Sequence, residues 1–174
     1  GWGDAVRGIV HTFARLERDG TLPNSLHGSD DSNRETSDAP LWFGLVCEEL
    51  ADEKGESVYT ETVGDGRSLL DVLVSIGTSY RDGTPNRIRM DSVSGLVWSP
   101  SHFTWMDTNH PAGTPREGYP IEIQALWIRF LRQLNRLQPD DDWGALAELA
   151  TESLHKHYWL EGTPWLADVL SAGP

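Results

Sequence analysis

Apolar residues recur at spacings of three and four along five stretches of the chain, the period of a helix with one buried face. The first runs from about Asp4 to Glu17, with Val6, Ile9, Val10, Phe13 and Leu16 on one stripe and Asp19-Gly20 as a stop beyond it. The second covers Pro40 to Asp52, with proline in its first turn and Ser37 or Asp38 placed to cap it. The third, about Ser68 to Tyr80, is closed by the turn-rich "RDGTPN". The fourth spans Glu122 to Leu137. The fifth spans Trp143 to Tyr158 and is introduced by "PDDD", an acidic run suited to a helix amino terminus. Strand-like alternation is scarce, and only Ile88 to Met90 and Gly95 to Trp98 read as a weak pair. The pattern predicts an all-α fold.

The connections are long, Thr21 to Ala39 and Thr84 to Pro120, and loops of that length in a compact domain are usually functional or disordered. "HGSDDSNRETSD" has the composition of disorder. "WSPSHFTWMDTNHPAG" does not, because its aromatics can be fixed against a core. Helix, long loop, helix recurs along the chain, the scheme of stacked helical hairpins within one domain over residues 1–174.

Composition narrows the function. With 27 acidic and 14 basic residues the formal charge is −13, which repels phosphate backbones and anionic membrane surfaces, so neither nucleic acid nor membrane is expected as a partner. No apolar run reaches the ~20 residues of a membrane span, and "GWGDAVRGIV" lacks the regions of a signal peptide, so a soluble, cytoplasmic chain is the expectation. The single Cys47 sits in an apolar run and reads as a buried thiol. Eight tryptophans in 174 residues is high. Core filling is the default for any one indole, but the flat C–H faces and hydroxyls of neutral sugars also suit that side chain.

Three segments join a carboxylate to aromatics where a loop meets a helix: "ETSDAPLWF" with Asp38 and Trp42, "HFTWMDTNH" with Trp105 and Asp107, and "TPREGYPIEIQALW" with Arg116 and Glu122. Glycosidic hydrolysis needs a protonated carboxyl at the leaving oxygen and a second carboxylate to activate water or attack carbon. An aromatic wall that desolvates one acid raises its pKa, and Asp107 beside Trp105 and Met106 fits the acid on local chemistry. Each residue has a plainer use as well. Asp38 fits a helix cap, Asp107 a turn, and Arg116 with Glu122 an ion pair. His155 and His157 lie two apart, on different helix faces, and no histidine pair has the i, i+4 spacing of a familiar zinc site. Neither a metal nor a cofactor is expected.

Taken in order, the segments resemble the carboxy-terminal glucosidase domain of glycogen debranching enzymes, the amylo-α-1,6-glucosidases. Similar proteins carry the matches seen here over Asp38 to Phe43 (DAPLWF), Thr104 to Asp107 (TWMD), Thr114 to Arg116 (TPR) and the helix start from Glu122 to Trp127. The flanking "HTFARLERDGTLPN" and "YWLEGTPWLADVL" look like parts of the same domain. The resemblance implies a six-hairpin (α/α) toroid of the glucoamylase-like kind, with its active site at the mouth formed by the loops. It also implies inverting hydrolysis of the α-1,6-linked glucose left at a branch point of a glycogen-like α-glucan. Under that match Asp107 is the general acid, and Asp38, Trp42, Trp105, Arg116 and Glu122 line the sugar pocket.

A six-hairpin toroid needs two helices per hairpin, more than the five read here. Inversion also needs a second carboxyl roughly 6.5–9.5 Å from the acid, and no residue matches the base by motif. Glu122 is the one internal candidate. The expectation is therefore part of a toroid, with a companion chain or self-association completing the barrel over exposed apolar helix faces. A non-catalytic glycan-binding helical module is the alternative, and a helical interaction protein without sugar a third.

Overall fold

A computed structural model of the chain describes residues 2–64, 66–106 and 115–171. Its five α-helices are α1 (Trp2–Leu16), α2 (Ala39–Lys54), α3 (Leu69–Asp82), α4 (Ile121–Leu137) and α5 (Trp143–Tyr158). A short 3-10 helix over Glu56–Thr60 follows α2, an element the apolar spacing does not announce. Four two-residue strands pair as antiparallel ribbons, β1 (Arg89–Met90) with β2 (Val97–Trp98) and β3 (Tyr119–Pro120) with β4 (Val169–Leu170). The fold is all-α. The first ribbon is the pair expected from sequence, and the second was not.

Helix α4 is the centre, packing on α2, α3 and α5, while α1 lies across α2 and α3. Its face buries Ile123, Trp127, Phe130, Leu131 and Leu134, and each such side chain taken fully from water contributes roughly 1.5–3 kcal/mol. Trp127 stacks between Tyr80 of α3, 5.8 Å away, and Phe130, 6.3 Å away. Two glycines make the close approach possible. A Cβ on Gly44 would stand 2.3 Å from the Phe130 ring, and one on Gly77 would stand 2.5 Å from Leu134 Cδ1. A second, smaller core of Leu96, Trp98, Tyr119 and Tyr158 sits under the ribbons.

Helix starts differ in detail from the expected caps. Ser68 and Asp71 form a reciprocal capping box on α3. Asp38 occupies the cap position of α2, but its carboxylate accepts from the Thr36 hydroxyl at 2.6 Å, and the Thr36 oxygen is what accepts from Ala39 N–H, at 3.2 Å. Asp142 heads α5 without a side-chain cap bond and lies 3.5 Å from Arg81 Nη1. The stretch with the composition of disorder is pinned by Arg34, whose guanidinium donates to the Leu16 and Thr21 carbonyls at 2.7 and 2.9 Å.

Candidate functional site

The loop from Ser99 to Trp105 and the strand-like run before α4 are held as a pair by backbone bonds. Ser99 and Gly118 exchange two, at 2.7 and 3.1 Å, and His102 N–H donates to the Pro115 carbonyl at 2.9 Å. The segment ahead of α2 joins them from the other side. Ser37 N–H donates to the Phe103 carbonyl at 2.7 Å, the Ser37 and Ser99 hydroxyls meet at 2.7 Å, and the Tyr80 hydroxyl donates to the Ser37 carbonyl at 2.9 Å. Asp38 is therefore fixed beside the loop that carries Trp105. The carboxylate-and-aromatic segments, far apart in sequence, meet in space.

Arg116 fastens the third segment. Its Nε and Nη2 donate to the two carboxylate oxygens of Asp168, each at 2.9 Å. Nη1 and Nη2 donate to the two oxygens of Glu122, the latter at 2.7 Å, and Nη1 also reaches the Thr104 hydroxyl at 3.1 Å. This is fork-to-fork recognition of two carboxylates by one planar cation. The hydrogen bonds it donates to Glu122, ahead of those to Asp168, hold the guanidinium pKa above its ordinary range despite burial. Arg116 stands at φ +47°, in the left-handed region, which aims its side chain inward at a backbone cost of about 1–3 kcal/mol. With only 3% of its side chain exposed, Arg116 serves as a hub for Thr104, Glu122 and Asp168. Glu122 is 28% exposed and sits at the edge of that hub.

Trp42, one turn into α2, is 51% exposed, and Trp105 is 70% exposed. Trp159 and Trp165 are exposed too, so among the described residues four indoles are left to solvent by a core that claims Trp98, Trp127 and Trp143. Trp42 and Asp38 border a groove of ≈ 380 Å³ whose walls include Ile9, Phe13 and Val46. Such a groove offers an apolar face with one carboxylate at its edge, which matches the two surfaces of a hexose. Asp107 and Thr114 lie outside the described residues.

The family model described as Amylo-alpha-1,6-glucosidase matches residues 3–173. The chain belongs to the amylo-alpha-1,6-glucosidase family. A search of curated proteins returned no match.

Not every contact in this cluster is legible in the sequence. Asp168 was missed, since a lone aspartate in "LADVL" carries no local signal of an ion pair with a residue 52 positions earlier. Among the described residues no three His, Cys, Asp or Glu side chains are gathered as a metal site. No helix among them is long and apolar enough to cross a membrane. Cys47 is buried, and loss of solvation pushes its thiol pKa well up, which keeps the nucleophilic thiolate scarce.

Proposed function

We propose that the chain contributes the general acid and part of the sugar pocket of an inverting α-1,6-glucosidase acting on branch-point glucose of a glycogen-like α-glucan in the cytoplasm. The observation that carries the reading is the meeting of the three motif segments through the Ser37 to Phe103 bond and the Thr104, Arg116, Glu122 contacts. In this reading Asp107 protonates the leaving oxygen. Trp42 and Trp105 lie against the C–H faces of glucose, Asp38 accepts from its hydroxyls, and the exposed edge of Glu122 borders the pocket. Arg116 holds Glu122 in place.

Glu122 has both oxygens engaged by Arg116, which makes it a poor base and favours a base supplied from elsewhere in a glucoamylase-like toroid. With Trp42 left to the sugar, exposed Ile9 on α1 and Val46 on α2 offer apolar surface to further toroid helices, brought by a companion chain or a second copy. The same engagement of Glu122, with exposed indoles, favours a second reading: a glycan-binding module without turnover.

Glucose release from a branched limit dextrin tests both. In the enzymatic reading Asp107→Ala abolishes release and leaves dextrin affinity within about tenfold. Affinity without release, before and after the substitution, with the companion chain or second copy that completes the toroid present, supports the binding module. If Trp105→Ala leaves dextrin affinity unchanged, the sugar readings both fail.

A further inference from the structure

We propose that two adjoining clefts at the β1–β2 ribbon form a second ligand site, for a small phosphomonoester with a polyhydroxyl remainder. The clefts, of ≈ 280 and ≈ 460 Å³, share Asp82, Arg89 and Trp98 as walls, and Arg87 closes the larger one. Together they lie within the size range of small-molecule sites. The inference does not depend on the glucan reading.

The cations here are the unusual feature. In a chain of charge −13 most guanidiniums are engaged by carboxylates, as Arg67, Arg116, Arg129 and Arg136 are. Arg87 and Arg89 are exposed, two positions apart, and make no guanidinium hydrogen bond or ion pair among the described residues. The two carboxylates of the clefts are already committed. Asp82 accepts from Arg81 Nε at 2.9 Å, and Asp91 accepts from the Ser94 hydroxyl and N–H at 2.6 and 3.1 Å. Although the Arg89 charge also helps to lower the Asp91 pKa, two planar donor forks are left for an oxyanion, and phosphate oxygens accept from such forks bidentately.

Two largely buried side chains offer further polar groups to the smaller cleft. Trp98, opposite Arg89 in the ribbon, is 8% exposed, and Tyr119 is buried beside it. Both line the smaller cleft, and neither the Trp98 indole N–H nor the Tyr119 hydroxyl has a hydrogen-bond partner among the described residues. Both groups reach the open cleft, where they can bond a ligand. A ligand whose hydroxyls meet Trp98 and Tyr119 while its phosphate meets Arg87 and Arg89 satisfies all four.

Arg87 also stands at φ +72°, a left-handed turn position where glycine would be unstrained. The turn around it is fixed by Thr84, whose N–H donates to the Ile88 carbonyl and whose carbonyl accepts from Arg87 N–H, each at 2.9 Å. The strained residue therefore carries the cation into the cleft. Arg87→Gly removes the charge while relieving the backbone, so the fold survives the test.

Titration calorimetry with glucose 6-phosphate, glucose and inorganic phosphate reads the site directly. We expect glucose 6-phosphate to bind at ~1 mM or tighter, and glucose and phosphate each to bind about tenfold more weakly. R87G and R89Q should each weaken the sugar phosphate by about tenfold, with R87G melting no lower than the parent. The remote R132Q should leave binding unchanged. No heat at millimolar sugar phosphate overturns the proposal. So does phosphate binding as tightly as the sugar phosphate, or an equal loss in R132Q.

Discussion

The side-chain amide of Gln124 pairs with the backbone of Val97 from both ends, Oε1 accepting its N–H at 2.7 Å and Nε2 donating to its carbonyl at 2.9 Å. A helix residue thus acts as a strand neighbour to β2 and fixes the ribbon from which the Ser99 to Trp105 loop departs. Gln124→Leu keeps the volume but strips both partners from buried backbone groups. The expected loss is roughly 1–3 kcal/mol for each orphaned group, read as a lower urea midpoint.

The Arg116 hub distributes its strength unequally. Arg116→Ala should cost about 2–3 kcal/mol, below the 3–5 typical of a broken buried pair, because Glu122 and Asp168 regain water easily. Asp168 is 65% exposed, so Asp168→Ala should cost about 1 kcal/mol or less. Glu122→Ala should fall between them. Arg116→Lys cannot span two carboxylates and should resemble the alanine variant more than the parent. Chemical denaturation of the four variants gives the order.

Close packing between α2 and α4 rests on one missing methyl group. Gly44→Ala adds helix propensity worth about 1 kcal/mol, yet forces the Phe130 ring to move, for a net loss of about 1–2 kcal/mol. Adding Phe130→Leu opens space beside the new methyl. The double variant should lose less than the sum of the single losses, a coupling that thermal melts of the four proteins measure.

Acid should uncouple one turn from the rest. The Ser94 hydroxyl, ahead of the Val93 and Ser94 amides, holds the Asp91 carboxyl below its ordinary pKa of 3.8. A depressed folded-state value means that its contribution is complete above the unfolded value and fades as pH falls through the folded one. Asp91→Asn should therefore cost about 1 kcal/mol at neutral pH, discounted for partial exposure, and the difference from the parent should narrow as the pH falls below the ordinary carboxylate value. Denaturant midpoints of both proteins across that fall in pH check it.

The helices were legible because each buries a stripe that repeats with the helical period, down to Trp143 and Tyr158 as the ends of α5. Shared carboxylate and aromatic composition pointed to the three segments that meet at Ser37, Phe103 and Arg116. What escaped sequence reasoning was long-range pairing: β3 with β4, Arg116 with Asp168, Gln124 with Val97. Their partners lie tens of positions apart, in stretches too short to carry a period. The caps of α2 and α5 differed because nearby Thr36 and Arg81 compete for the same carboxylates.

The central place of α4 has a consequence for the birth of the protein. Gly44 and Gly77 leave slots in α2 and α3 that fit only the later Phe130 and Leu134, so a nascent chain emerging from the ribosome carries three helices with nothing to close them. Vectorial synthesis at about 5–20 residues per second leaves those apolar faces uncovered for several seconds, time enough for a chaperone to engage them. Commitment to the native state waits until α4 clears the exit tunnel.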